Sequence, residues 1–480
     1  MNKRILLKPL ALVACLLCSI NAVAQEAYAC YTPGNTTLTF YYDNYRSSRT
    51  GSTYDINFTY FPGWHSDGSY RSVTRVVFDA SFADARPTKT SAWFENMGQL
   101  ESITGMEHLN TESVTDMNSM FYGCTKLTSI DVSHFNTANV TDMSYMFDAC
   151  NKLMSLDVSN FNTEKVTDMS LMFFGCYALP NLDLSNFNTA NVTDMKRMFN
   201  GCNAMTSLNV SSFNTAKVTD MNFMFSYCYA LTNVDVSHFN TENVTDMAAM
   251  FYLCEALTSL DVTNFKTDKV TSMYWMFQGC SSLTSLDVSS FNTANVTSMA
   301  HMFSACSGLT SLDVSNFNTA DVTGMGYMFT NCSGLTSLDL SNFNTEKVKS
   351  MNYMFQNCSN LVTINVGSEW STMAVTSSTD MFTGCTNLAG GMGTTYDADH
   401  TDMAYAHIDG GPSNPGYFTG ELVLIPGDVN GDGNLSIADV TALIDLLLEG
   451  GEMPANADVD GNGTVSIRDV TVLIDMLLNS

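Results

Sequence analysis

Positive charge is what this chain has least of. Twenty lysines and arginines stand against 48 aspartates and glutamates, a formal net charge of -28. A chain so acidic repels the phosphates of nucleic acid and the head groups of anionic membranes, so neither is expected as a partner; cationic partners and divalent metals remain open. Long apolar runs are missing beyond the N-terminus. No later stretch reaches the ~20 residues of a membrane-spanning helix, so no transmembrane helix is expected. Catalytic signatures are missing too. There is no GxSxG, no HExxH and no phosphate loop, and the seven histidines, His134, His238 and His301 among them, stand without partner motifs. Acidic pairs occur only as repeats, where a glycosidase needs two unique carboxylates in a cleft, so no enzyme is expected.

What is present is a period. Cysteine recurs every 26 residues from Cys124 to Cys358, and Cys385 follows one residue late. A period this strict means one structural unit copied and stacked, each copy packing on its neighbours, so chain length does not translate into domain count. The unit reads VTDMSYMFDACNKLMSLDVSNFNTEK from Val140; ten copies start between Val114 and Val348, and a degraded eleventh runs from Val375 to Leu388. Trp93-Phe94 and Leu100-x-x-Ile103 echo it upstream. Within a copy, LxSLDVS alternates apolar and polar, which predicts a short strand with Leu156 and Val158 on one face and Ser155 and Asp157 on the other. MSYMF follows an aspartate and predicts one or two helical turns. Asp142, Asp168 and Asp194, or Ser272, Ser298, Ser350 and Gly324, suit the cap of such a turn, so these aspartates read as structural. FNTxxV returns the chain to the next coil, with Phe161 and its equivalents buried.

Two ladders follow from the stacking. The eleven array cysteines are odd in number, occupy one position of the coil and include no CxxC pair. Equivalent side chains ~4.8 Å apart with parallel Cβ vectors make poor disulfides, so a ladder of buried thiols is expected. The aspartates of LDV, Asp131, Asp157, Asp183, Asp235, Asp261, Asp287, Asp313 and Asp339, form the second ladder. Neighbouring carboxylates repel by about 1 kcal/mol even in water. Two readings stand: a solvated face that blocks aggregation, or a strip that binds cations or basic proteins.

The N-terminus predicts an export signal, with Lys3, Arg4 and Lys8 before an apolar run from Leu10 to Ile20, and cleavage after Ala24. Lipid anchoring at Cys15, in Leu12-Val13-Ala14-Cys15, is the minority reading. The protein is expected to be secreted or held at the cell surface.

The recurring VTDMxxMFxxCxxLxxLDVSxFNT resembles a leucine-rich repeat, and more closely the DUF285-type 26-residue repeat of BspA-like bacterial surface proteins. The resemblance covers Val114 to Leu388. It implies a parallel-strand solenoid and a role in adhesion or protein interaction, without naming a ligand. Residues 25–113 and 389–420 would then cap its two ends.

The last segment changes character. Asp428, Asn430, Asp432, Asn434, Ser436 and Asp439 fall at positions 1, 3, 5, 7, 9 and 12 of a calcium loop, and Asp458, Asp460, Asn462, Thr464, Ser466 and Asp469 repeat them 30 residues on. Gly433 and Gly463 sit at the sharp turn, and each loop presents hard oxygens in the order calcium requires, so two Ca²⁺ ions are expected. Position 12 is Asp rather than Glu, and each loop leads into one helix with none before it. This duplicate resembles a type I dockerin over residues 427–480. The resemblance implies docking onto a cohesin-like module of another extracellular protein, often in polysaccharide-degrading complexes. Its partner-reading positions correspond to Ile437, Ala438, Ile467 and Arg468, which lack the Ser-Thr pair common in cellulosomal dockerins. A calcium-stabilised module that packs on its own chain is the alternative.

The expected fold is therefore a leucine-rich-repeat-like solenoid, one short parallel strand plus a helical turn per 26-residue coil, followed by a small all-α calcium-binding module. The expected division is 1–24 signal, 25–113 cap, 114–388 repeats, 389–420 cap, 421–426 linker and 427–480 dockerin. The expected function is non-catalytic surface binding to an unknown protein or glycan; a structural spacer without a ligand is the alternative. Tyr145, Arg197, Phe223 and Trp275 vary between copies and favour binding if exposed.

Overall fold

The structure, a computed structural model, describes residues 24–58, 61–420, 426–430, 435–450 and 453–479. The expected signal segment with Cys15, most of the expected linker, and Asp432, Gly433 and Asn434 of the first expected calcium loop lie outside the described residues. Two compact units are formed, one ending at Val166 and one beginning at Thr167, and the same coil builds both.

The first unit opens with a five-stranded sheet in the order β3-β1-β2-β4-β5: β1 Glu26–Tyr31, β2 Thr37–Asp43, β3 Thr53–Asp55, β4 Arg75–Phe78 and β5 Ser102–Thr104. β1 pairs antiparallel with β2 and β3, whereas β4 pairs parallel with β2 and β5. The sheet thus passes from hairpin pairing to coil-on-coil pairing across its width. Phe40 stacks on Phe78 and Trp93 at 4.7 and 5.0 Å, and Trp64 Nε1 donates to the Trp93 carbonyl at 2.9 Å. These buried rings plug the apolar end of the first coil, which would otherwise be open to water. Residues 89–113, whose sequence only echoes the unit, already adopt its form. The amides of Ala92, Phe94 and Asn96 donate to the carbonyls of Asn118, Met120 and Tyr122 in the next coil.

Each coil buries the same set of side chains. Val140, Met143, Met146, Phe147, Cys150 and Leu153 have no exposed surface, and full burial of each large apolar member contributes ~1.5–3 kcal/mol. The Phe rings stack between coils, Phe121 on Phe147 at 5.5 Å in the first unit and Phe173 on Phe199 at 5.8 Å in the second. The array cysteines are buried free thiols. Cys150 Sγ donates to the Phe121 carbonyl at 3.3 Å, and Cys280 Sγ donates to that of Phe251 at 3.2 Å. Burial pushes Cys228 and Cys280 up to about 12, which keeps them protonated donors.

The short strands pair in parallel one coil apart. β6 (Ser129–Ile130) joins β7 (Ser155–Leu156) in the first unit; in the second, β8 (Ser207–Leu208) joins β9 (Asn233–Val234) and β10 (Ser337–Leu340) joins β11 (Thr363–Val366). A second set of rungs comes from the buried threonine of FNT. Thr137 Oγ1 donates to the Asn162 carbonyl at 2.9 Å and accepts the Asn162 amide at 2.7 Å, and Thr293 does the same with Asn318.

The segment expected to hold helical turns is a pair of consecutive hydrogen-bonded turns. Met120 N–H donates to Met117 C=O and Cys124 N–H to Phe121 C=O, while the amides of Ser119, Phe121 and Gly123 donate to the next coil. An α-helix would keep those amides for itself. Ser119 and Gly123, the third residues of the two turns, have φ of 56° and 72°, the left-handed region that a type II turn requires. The expected capping nevertheless stands without a helix: Asp142 Oδ1 accepts the Ser144 amide at 2.9 Å, and Asp116 that of Asn118 at 3.0 Å.

In the second unit, Thr419 covers the exposed edge of β11, its amide donating to Ile364 C=O at 2.8 Å and its carbonyl accepting from Val366 at 2.9 Å. Buried Asp409 ties this closure together by accepting the amides of Met392, Thr394 and Gly411. The chain ends in α1 (Ile437–Glu449) and α2 (Ile467–Asn479) around a core of Val429, Val440, Leu443, Ala457, Val470 and Leu473.

One buried acid in the first unit yields a prediction. Asp148 is 4 % exposed, and burial pushes its carboxyl up to about 7. Folded Asp148 then holds a proton that the unfolded chain has released between about pH 4 and 7, so stability falls with rising pH across that window and the penalty is complete above it. Asparagine occupies the equivalent position at Asn200, also buried. Asp148→Asn should raise stability by roughly 2 kcal/mol at pH 8, about half of what the full shift would give, and the gain should fade towards pH 4. Thermal melts of both proteins across that range check it; a pH-independent difference contradicts it.

Candidate metal centre

The second Asp-rich loop is described throughout. One carboxylate oxygen each from Asp458, Asp460 and Asp469 lies within 4.8 Å of the others. Ligands on opposite sides of a calcium ion, each bonded at 2.3–2.6 Å, stand at most about 5 Å apart, so these oxygens fit one such ion. The loop backbone sets that convergence. Asp458 accepts the amides of Asn462 (3.0 Å) and Gly463 (2.6 Å), and Asp469 accepts those of Asp460 (3.2 Å) and Ser466 (2.8 Å). Gly463 has φ 85°, and the turn it makes folds the loop around its own carboxylates. Burial alone would raise the carboxyl of Asp469, but the amides of Asp460 and Ser466 and the Ser466 hydroxyl hold it below the usual range. It therefore stays ionised as a hard oxygen donor.

The first loop repeats this wherever it is described. Asp428 and Asp439 are buried; Asp439 accepts the amides of Asn430 at 3.2 Å and Ser436 at 2.8 Å. Ser436 caps α1, accepting the Ala438 amide, and closes a capping box with Asp439. Ser466 does the same for α2 through the Arg468 amide at 3.2 Å. Positions 9 and 12 of each loop thus start the helix as well as end the loop. Asn456 Nδ2 donates to the Asp428 carbonyl and Gly427 N–H to the Asn456 carbonyl, which bind the second repeat back onto the first.

The four residues expected to read a partner lie in the first turns of the two helices. Ile437 and Ile467 are 74 % and 73 % exposed, and Ala438 and Arg468 are exposed beside them. Sequence reasoning missed two features. Leu448 and Leu478 are 79 % and 78 % exposed in the last turns; their 30-residue offset, the same as that of the loops, was the available signal. Arg468 Nε lies 2.8 Å from Asp460 Oδ2, an ion pair for which the first loop, with Ala438, has no counterpart.

Elsewhere the aspartates of LDV act as local caps. Asp131 accepts both the amide (3.0 Å) and the hydroxyl (2.6 Å) of Ser133, and Asp261 does the same with Thr263. Those hydroxyl and amide bonds hold Asp131, Asp235 and Asp313 below the usual carboxylate range, so the strand face remains anionic. In the second unit, Asp235, Asp261 and Asp287 line an open cleft of about 610 Å³. Of the variable residues, Arg197 is exposed and lies 4.9 Å over the Phe223 ring, while Tyr145, Phe223 and Trp275 are half-buried.

The profile of a family described as Mycoplasma protein of unknown function, DUF285, matches residues 88–208, 199–309 and 276–395, and the profile of the type I dockerin domain matches residues 426–478. The chain belongs to the DUF285 family and carries a type I dockerin domain. Two crystal structures are similar to it. One, a leucine-rich repeat protein from Bacteroides ovatus, is 18 % identical over 77 % of this chain and 93 % of that one, with a TM-score of 0.38. The other, a leucine rich cell surface protein from Faecalibacterium prausnitzii, is 17 % identical over 75 % and 91 %, with a TM-score of 0.31. No curated protein matches. Type I dockerin domains bind calcium and imply a cohesin partner. No helix among the described residues is long and apolar enough to cross a membrane.

The caps carry the prediction here. Ser436→Ala removes the hydroxyl that accepts the Ala438 amide and should cost about 1 kcal/mol of calcium-loaded stability. Urea unfolding followed at the helical circular-dichroism band, to which the two C-terminal helices contribute most, measures it; an unchanged midpoint rejects the capping role.

Proposed function

We propose that the chain is an exported surface-binding or adhesion protein whose repeat array takes a protein or glycan ligand and whose C-terminal module docks onto a cohesin-type partner. The module holds two calcium ions, one on Asp428, Asn430, Asp432, Asn434, Ser436 and Asp439, the other on Asp458, Asp460, Asn462, Thr464, Ser466 and Asp469. Ile437, Ala438, Ile467 and Arg468 read the partner, in a complex that acts on polysaccharide. The division into a signal over 1–24, a cap over 25–113, repeats over 114–388, a second cap over 389–420, a linker over 421–426 and the dockerin over 427–480 is part of this reading.

The observation that carries it is the convergence of Asp458, Asp460 and Asp469 in a loop whose ninth and twelfth positions also start a helix bearing exposed apolar residues. Calcium between those carboxylates relieves their mutual repulsion and fixes the start of the helix, so ion binding and presentation of Ile467 are one event. The partly exposed, copy-specific residues of the array support ligand binding over a spacer role.

Calorimetric titration of the full chain with calcium should give two ions, and Asp428→Ala and Asp458→Ala should each remove one. Capture from native extracellular extract should retain a cohesin-bearing protein with calcium and lose it with chelator. A single ion sinks the two-site reading; no calcium-dependent partner sinks the docking.

A further inference from the structure

Residues 421–480 carry eleven acidic side chains and a single basic one, Arg468. Its guanidinium lies against a carboxylate of the second loop, with Nε 2.8 Å from Asp460 Oδ2. The two partners are unequally held. The Asp460 side chain is 9 % exposed and that of Arg468 75 %, so the carboxylate is built into the loop and the arginine lies over it from the solvent side.

The pairing is also incomplete. Asp460 Oδ1 accepts the Asn462 amide at 3.1 Å, whereas Oδ2 is buried and accepts no hydrogen bond, because the Arg468 N–H is not aimed at it in spite of the short distance. A buried anionic oxygen without a donor is costly, and a positive charge beside it is what offsets that cost. The same carboxylate converges with those of Asp458 and Asp469 within 4.8 Å. Asp460 thus has the surroundings of a cation ligand, and Arg468 is the one cation that the sequence of the module can place there.

The first loop has neither half of this arrangement, since its corresponding residues are Asn430 and Ala438. Each loop brings three aspartates, Asp428, Asp432 and Asp439 in the first and Asp458, Asp460 and Asp469 in the second. By formal charge they would attract a divalent ion equally. Arg468 removes that equality by setting one positive charge against the second set alone.

We propose that Arg468 is an internal competitor for the second calcium site: it offsets Asp460 in the ion-free module and gives up that carboxylate when the ion enters. The second loop then fills after the first, and the guanidinium is released beside the exposed Ile467 only in the loaded module. This rests on the reading of the two loops as calcium sites and adds to it an order of loading and a calcium-gated charge on the second helix.

Calorimetric titration of the full chain with calcium tests the order, and Asp458→Ala identifies the step that belongs to the second loop. Wild-type protein should bind in two steps, with the weaker one lost in Asp458→Ala. Arg468→Gln removes the charge and should tighten that weaker step roughly three- to tenfold, the effect of a unit charge on a divalent ion a few ångströms away in water. Arg468→Lys keeps the charge and should stay within roughly twofold of wild type. Both substitutions fall on an exposed side chain, so the fold is preserved in each. An ion pair with a purely structural role gives the opposite result, a second step unchanged or weakened once the pair is lost. Labelling of Arg468 by phenylglyoxal, followed by peptide mass, tests the release and should quicken when calcium is added. A second step as tight as the first, no tightening in Arg468→Gln, or labelling indifferent to calcium overturns the proposal and leaves the calcium sites standing; binding of no calcium overturns both.

Discussion

The structure depends on which way the backbone amides of VTDMxxMFxxC point. Every buried amide must find an acceptor, and here alternate residues find it in different places. Met120, Tyr122 and Cys124 donate within their own turns, while Met117, Ser119, Phe121 and Gly123 donate to the following coil. That alternation binds coil to coil alongside the short strands and the threonine rungs. It cannot be made by an α-helix, whose amides are all used internally. It requires two left-handed residues per coil, and each non-glycine residue there costs ~1–2 kcal/mol. The burial of two methionines, a phenylalanine, a cysteine and a valine in the same stretch outweighs this.

The same alternation explains what was legible in the sequence. The 26-residue period, the inward Val, Phe, Cys and Leu, and the capping aspartates could all be read, because repetition and residue type alone dictate them. The turns could not. Met143, Met146 and Phe147 stand at i, i+3 and i+4, a spacing that serves one face of a helix and two successive turns equally well. What separates the two is a left-handed residue in each turn, and only the second turn advertises it, through Gly123, Gly175, Gly201 and Gly279. The threonine of FNT was also illegible as a core residue, since a hydroxyl is buried without penalty only when a neighbouring coil offers both a carbonyl and an amide to it. In the second Asp-rich loop the convergence of Asp458, Asp460 and Asp469 was readable from their spacing, whereas Leu448 and Leu478 follow the same helical period as core residues, so their duplication was legible and their outward facing was not.

Stacking one unit also sorts the chemistry of the surface into strips. Side chains at equivalent positions line up, so a single choice in the repeat is multiplied along a face. LDV makes one strip anionic, and the hydroxyls and amides of the residues two places on keep it so by stabilising the carboxylates. The thiols make an internal strip that is inert, because burial keeps them protonated and the Phe carbonyl of the preceding coil engages them. The first left-handed position breaks the rule: its residue changes from copy to copy, and in the second unit five coils fill it with a ring, at Phe223, Trp275, His301, Tyr327 and Tyr353. Variation at this position gives its strip a chemistry that differs from coil to coil.

The terminal module shows the opposite case, a duplication that stops short of identity. Ile437 matches Ile467 and Leu448 matches Leu478 in exposure, so the two helices offer equivalent apolar contacts. Their charge differs. Arg468 sits against Asp460 of the second loop, whereas the corresponding positions of the first repeat are Ala438 and Asn430, with neither the guanidinium nor the carboxylate. A guanidinium beside a carboxylate offsets its negative charge, so the two loops differ electrostatically although their sequences run in parallel. Any surface laid on the exposed isoleucine and leucine of either helix meets a guanidinium beside one and none beside the other. The exposed apolar residues make the two helices alike; the single arginine makes them differ in charge.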